Sequence, residues 1–431
     1  TKFNLTVLQI VRRTFCSNSK IIIKSKMEVL IMLTKKILDA IFKRVDGQKF
    51  EIEYWDGETK VFNQQLQSDP AFKIIFAEKL SLNEIRKSPQ LKMGEAYMDG
   101  KINFEGSIKK LIETAGENVF ELKEEIEKYK IDQVLDFQTS ESPAEEEKGV
   151  REHYDIGNDF FKLWQDETMT YSCAYFKNED DDLKAAQLQK IDHILKKLNL
   201  KAGERLLDIG CGWGSLALRA AEKYGVDVMG ITLSKEQEIE AKKRVAKAGL
   251  ADKIEIRRQD YRNLAEEDEQ FDKIVSVGMF EHVGKENIPI YFEVIDKLLK
   301  NKGLSLLHSI THLKEQPAHP WLQKYIFPWG YIPSLREIVW ELPENNFHLL
   351  DAEDIGYHYS LTAERWLDNY EKVSDQVKEK FDDHFYRMWR TFLMGVVFTF
   401  RYASTSVHQI LFSKGKNTEL PLTREYIYQN D

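Results

Sequence analysis

Cysteine is scarce in this 431-residue chain: only Cys16, Cys173 and Cys211 occur, far apart and without CxxC or Cys/His ligand spacing. A disulfide framework and a zinc site are both poor fits to that spacing, no metal is expected, and a reducing cytoplasm suits the composition. Long apolar runs are missing as well. Nothing approaches the roughly 18 consecutive apolar residues needed to cross a bilayer, so any meeting with a membrane is expected at its surface. A basic excess is also lacking: 71 acidic residues against 62 basic ones leave a net charge of −9, which argues against a nucleic-acid partner. What is present is 42% hydrophobic and 12% aromatic residues, enough to exclude a wholly disordered chain. The length alone suggests about two to four domains.

Residues 1–31 differ from the rest, with six basic residues (Lys2, Arg12, Arg13, Lys20, Lys24, Lys26) and the single acid Glu28. Their apolar pieces are too short for a signal peptide, and they read as a non-native or disordered leader before a start at Met27 or Met32. Residues 32–125 form an expected N-terminal domain for lipid or membrane contact. In it Leu33–Phe42 has helical spacing, and Phe50-Glu-Ile-Glu-Tyr, Asp56-Gly57 and Thr59-Lys-Val-Phe predict a hairpin. The stretch 70–125 reads as mainly helical, interrupted by Met93-Gly-Glu-Ala-Tyr-Met-Asp-Gly100. Charge-rich 126–149 reads as a linker, and 150–431 as the catalytic domain.

In that last region strands and helices alternate. Strands are predicted at Arg205–Ile209, Val226–Ile231, Ile254–Arg258, Lys273–Val277 and Leu304–Ile310, with helices at 214–224, 235–248 and 288–299. Near-continuous apolar strands between helices imply a mostly parallel sheet covered on both faces, an α/β fold with a smaller α+β domain ahead of it. Such sheets bind ligands beyond the carboxyl ends of their strands. Leu207-Asp-Ile-Gly-Cys-Gly-Trp-Gly214 turns from strand to helix, but Ser215 stands where a dinucleotide fingerprint needs its third glycine. The DxGxGxG pattern instead resembles class I, Rossmann-like S-adenosylmethionine methyltransferases, in which Asp208 would hold the cofactor's ammonium end. Ser234 and Gln237 form a capping box by spacing.

Further segments narrow the likeness: Glu152-His-Tyr-Asp-Ile-Gly-Asn-Asp-Phe160, Met169-Thr-Tyr-Ser-Cys-Ala-Tyr175, Thr232-Leu-Ser-Lys-Glu-Gln237, Gly278-Met-Phe-Glu-His-Val-Gly284 and Leu307-His-Ser-Ile310. With these, the chain resembles the bacterial cyclopropane fatty acid synthases from about Leu33 to Tyr426. That resemblance implies methylene transfer from S-adenosylmethionine to the cis double bond of an unsaturated phospholipid acyl chain. It further implies a bound bicarbonate as base, held by Cys173, Glu281, His308 and Tyr359 beside the Ile310 backbone, with Tyr357 as the alternative tyrosine. By the same resemblance Tyr171, Ser172, Gly210 and Gly212 lie at the cofactor's methionine end, Thr232, Leu233 and Gln237 at its ribose, and Asp260 and Tyr261 at its adenine. A homodimer on the inner face of the cell membrane is implied too.

The chemistry sets its own demands. An alkene is a weak nucleophile, so it must be aimed at the sulfonium methyl, and the carbocation that follows must be kept from water. Candidate walls are Phe160, Phe161, Trp164, Tyr171, Phe280, Trp321, Phe327, Trp329, Tyr331 and Trp340. The loop Phe327–Ser334 is the candidate channel mouth, and His153 and His312 are weaker candidates for supporting roles. Methylation without ring closure, of a lipid or an amine, is the nearest rival; a lipid-binding protein with a dead cofactor site is the second.

Overall fold

The computed structural model describes residues 34–80, 88–127, 156–328 and 330–428. The leader 1–31, nearly all of the linker 126–149, His153 and Trp329 lie outside them. Contacts divide the chain into two compact units, described separately below.

Helix α1 (34–42) precedes a four-stranded sheet of β1 (Phe50–Glu53), β2 (Thr59–Phe62), β3 (Phe72–Phe76) and β4 (Ile102–Gly106), in the order β2-β1-β3-β4. The expected hairpin forms: β1 and β2 pair antiparallel, and Gly57, at φ +82°, sits in a turn closed by its N–H donating to the Tyr54 carbonyl at 2.8 Å. Phe50 stacks against Phe62 and Phe72 with ring centroids 5.1 and 5.2 Å apart, and each such buried ring contributes about 1.5–3 kcal/mol. Helices α3 (Ile108–Glu117) and α4 (Val119–Glu127) follow.

Two expectations for 70–125 need correction. The stretch is not mainly helical up to residue 106, because β3 and β4 lie in it. Phe72-Lys-Ile-Ile-Phe76 is a short apolar run whose period cannot separate helix from strand, and pairing with β1 and β4 decides it. Nor does 93–100 interrupt a helix. It is most of helix α2 (Pro89–Met98), which groups with the second unit rather than with the sheet that surrounds it in sequence. Gly94 is required there, since a Cβ on it would meet the Trp321 ring at 2.5 Å.

The second unit is built on a seven-stranded sheet. Its elements are α5 (Leu183–Lys197), β5 (Arg205–Ile209), α6 (Ser215–Tyr224), β6 (Asp227–Thr232), α7 (Lys235–Ala248), β7 (Ile254–Arg258), β8 (Phe271–Val277), α8 (Ile288–Leu298) and β9 (Leu299–His312), then α9 (Pro320–Tyr325), α10 (Leu335–Glu344), β10 (Phe347–Asp354), α11 (Gly356–Lys372), α12 (Asp383–Tyr402) and β11 (Thr405–Lys414). Strand order is β10-β11-β9-β8-β5-β6-β7, parallel from β9 to β7, with β11 antiparallel to both its neighbours. The mostly parallel sheet is the class I, Rossmann-like arrangement expected. The chain runs outward from β5 through β6 to β7, then returns to place β8 on the other side of β5. That reversal opens a crevice at the carboxyl ends of β5 and β8.

Candidate cofactor cavity and buried anion cluster

The turns that leave β5, β6 and β8 at this crevice line one cavity. Every residue expected at the cofactor lies on it: Tyr171 and Ser172 ahead of α5, Asp208, Gly210 and Gly212 at β5, Thr232, Leu233 and Gln237 at β6, and Asp260 and Tyr261 after β7. Gly210 has φ +82°, and a Cβ there would lie 2.8 Å from that of Met279, so only glycine lets the two turns approach. Gly212, at φ +53°, has nothing within 4 Å of its missing side chain.

The capping box forms by half. Ser234 Oγ accepts from the Gln237 N–H at 3.3 Å, but the Gln237 side chain turns to Thr232, whose hydroxyl donates to Oε1 at 2.7 Å. The nearby hydroxyl competes with the backbone of Ser234 and holds the Gln237 amide at the cavity wall. Asp260 caps the short helix Tyr261–Leu264 and is gripped by Arg262 through two side-chain bonds of 2.6 and 2.9 Å.

Two buried charges complete the wall. Asp208 is 3% exposed, and burial pushes its carboxyl up to about 7, partly offset by Lys190. Lys190, on α5, was not singled out by sequence. Its Nζ donates to Ser172 Oγ at 2.8 Å, and burial pulls it down to about 8. One turn earlier on α5, Gln187 Nε2 donates to the carbonyls of Thr170 and Ser172 at 3.0 and 2.9 Å. Together they clamp the 170–173 segment. A readable signal existed: both fall on the apolar stripe of Leu183, Ala186, Ile191, Ile194 and Leu195. A charged wall with an open glycine turn, an amide–hydroxyl pair and the Asp260–Tyr261 step fit the amino-acid, sugar and base parts of S-adenosylmethionine.

One residue past Ser172 the chain leaves the cavity. Cys173 packs with Ile355 and Val407, flanked by Ile310 and Tyr359. Burial pushes the Cys173 thiol well up, so it is a neutral S–H and not a nucleophile. Glu281 joins from the β8 turn: its Oε1 accepts from the Ile310 N–H at 2.6 Å, while Oε2 is buried with no hydrogen-bond partner among the described residues. Burial pushes this carboxyl up to about 7. His308 lies two residues before Ile310 on β9, hence on the same strand face. Burial drives it well down, keeping it neutral, and its Nδ1 is 3.3 Å from Gln409 Nε2. The structure therefore brings together Cys173, Ile310 and Tyr359, ties Glu281 to them, and places His308 on the adjoining strand position. It separates the two tyrosines, since Tyr357 is 48% exposed and lies under Arg401. The buried Glu281 Oε2, without a hydrogen-bond partner among the described residues, is a fit for a small anion that carries a proton of its own, as bicarbonate does.

Other candidates fall elsewhere. Phe160, Phe161 and Trp164 are fully buried in an aromatic cluster with Trp389 and the cavity-lining Tyr171. Trp340 is 70% exposed on α10 and walls nothing. His312 ends β9, its Nδ1 3.0 Å from Thr405 Oγ1. His282, by contrast, lines the cavity.

Comparison with known proteins agrees with this geometry. Residues 141–410 match the family described as mycolic acid cyclopropane synthetase, and residues 37–125 match a domain of unknown function. A probable fatty acid methyltransferase of Pseudomonas putida is 36% identical over 88% of this chain and 96% of its own length. The cyclopropane-fatty-acyl-phospholipid synthase of Escherichia coli (strain K12) is 42% identical over 64% of this chain and 70% of its own. A solved cyclopropane synthase from Mycobacterium tuberculosis superposes with a TM-score of 0.59 at 33% identity, covering 62% of this chain and 98% of that one. The glycine turn, the parallel sheet and these matches agree that the chain belongs to the cyclopropane synthase family of S-adenosylmethionine-dependent methyltransferases.

Proposed function

We propose that this enzyme builds a cyclopropane ring across the cis double bond of an unsaturated phospholipid acyl chain. When bound, S-adenosylmethionine supplies an electrophilic methyl on a sulfonium, with S-adenosylhomocysteine leaving. The alkene π pair forms the new C–C bond, a cation is left on the neighbouring carbon, and loss of a proton from the new methyl closes the ring. Bicarbonate, held by Cys173, Glu281, His308 and Tyr359, would supply the base for that proton. The chain's own groups do the rest. The Cys173 S–H, 3.3 Å from the Ala174 carbonyl and 3.7 Å from that of Ile355, would turn toward the anion and the Glu281 carboxyl would accept from it, while the Ile310 N–H, already given to Glu281, fixes the carboxyl plane. Ile355, Val407 and Phe400 keep the surroundings free of water.

The observation that carries this reading is the alternation at one backbone step. Ser172 faces the cofactor cavity and Cys173 the buried cluster, an arrangement that supports a methyl source and a proton acceptor lying close together. Lipid delivery adds support for contact with a membrane surface. Drawing eight or nine methylenes through water would cost about 7 kcal/mol, and no helix among the described residues is long and apolar enough to cross a membrane.

The test is incubation with S-adenosylmethionine and vesicles of unsaturated phospholipid, followed by mass spectrometry. The expected product is heavier by one CH2 and no longer carries the alkene, and bicarbonate removal slows its formation. A product that gains CH2 but keeps its double bond would favour methylation without ring closure. Equal rates with and without bicarbonate would remove the base.

A further inference from the structure

We propose that the Lys190 ammonium receives the carboxylate of the cofactor's amino-acid end, opposite an Asp208 that takes its ammonium. The inference rests on the methyltransferase reading but not on which acceptor is methylated.

Lys190 is 1% exposed, yet it lines the cavity. An ammonium carries three donors. Among the described residues this one has a single hydrogen-bond partner, Ser172 Oγ, and no carboxylate within ion-pair distance. Asp208 stands on the same cavity wall, likewise without an ion-pair partner among the described residues. Two opposite charges that share a cavity and do not meet are each left to find a partner in it. A buried charge without one is costly, and a zwitterion satisfies both ends at once.

The other cations of the wall are not available for that task. Arg262 is tied to Asp260 by two bonds, and burial lowers His282 to about 4, leaving it neutral. The backbone beneath Lys190 is also fixed, because Gln187 holds the carbonyls of Thr170 and Ser172. The ammonium is therefore held in position ahead of binding by Ser172 Oγ, on a residue that lines the cavity.

The experiment is a cycle of two ligands on two proteins, read by calorimetric titration. S-adenosylhomocysteine and its decarboxylated analogue differ only in the carboxylate. The wild type is expected to favour the former by about 10- to 100-fold, the range for a hydrogen bond to a charged group. In Lys190→Met that preference is expected to fall to about threefold or less. Lys190→Gln, which keeps a donor for Ser172 Oγ without the charge, serves as a second variant should Lys190→Met fail to fold. A wild type indifferent to the carboxylate, or a variant that retains the wild-type preference, would overturn the assignment. A variant that keeps the preference but needs more bicarbonate would also overturn it, assigning Lys190 to the anion cluster instead. Absence of any S-adenosylhomocysteine binding to the wild type would overturn the cofactor reading itself, an outcome distinct from the others.

Discussion

The cofactor cavity and the cluster around Cys173 begin at neighbouring residues but are finished to different degrees. Along the cavity wall part of the polar surface is settled within the protein, Thr232 with Gln237 and Asp260 with Arg262, while Lys190 and Asp208 have no ion-pair partner among the described residues. The cluster is left open at its centre, with Glu281 Oε2 and Gln409 Oε1 both buried and without hydrogen-bond partners among the described residues. A wall largely prearranged within the protein binds a ligand at little reorganisation cost and leaves its two unpaired charges for the ligand's ends. A site with orphaned acceptors is incomplete without one. The first property suits a large cofactor that exchanges every cycle, the second a small anion that stays.

The largest expected break in this comparison comes from Glu281→Gln. Loss of the carboxylate should lower turnover by about 10²- to 10³-fold, while S-adenosylhomocysteine affinity stays within about twofold because the cavity is untouched. Steady-state assays beside calorimetry check it, and a large loss of affinity would merge the two regions into one.

A second effect is on stability. Glu281 holds its proton up to about pH 7, against an ordinary value of 4.5. A raised acid stabilises the fold fully below its unfolded value and loses that contribution as pH rises through the folded one. Glu281→Gln should therefore gain on the wild type between about pH 4.5 and 7 and level off above, by about 3 kcal/mol. Denaturant titrations at pH 4, 6 and 8 measure this, and a constant difference would refute the buried proton. A smaller effect is expected on the cavity side. Gly210→Ala puts a methyl 2.8 Å from Met279 Cβ at φ +82°, which should cost about 1–3 kcal/mol of stability and roughly tenfold in cofactor affinity.

The cavity was far more legible in sequence than what surrounds it. Gly210 and Gly212 announce a turn that only glycine can make, and apolar strands of five to seven residues between amphipathic helices imply the parallel sheet. The β10–β11 pair was not foreseen, because β11 joins β9 about a hundred residues after it in the chain, and no local pattern encodes a partner that distant. Lys190 was overlooked for a different reason. A lysine on the apolar stripe of a helix violates the periodicity that defines the stripe, and such violations mark functional positions. Gly94 and Gly100 made α2 look like a break, whereas one glycine admits Trp321 and the other, at φ +76°, follows the helix end.

Strand β11 enters the sheet between β9 and β10, although it is made after both. Val407, carried on it, packs against Cys173, and Gln409 meets His308. During synthesis, then, this wall of the Cys173 cluster emerges only after both strands it joins, and its slot stays vacant until that moment. A chain cut just before Thr405 would keep its glycine turn intact and still lack one wall of the buried cluster.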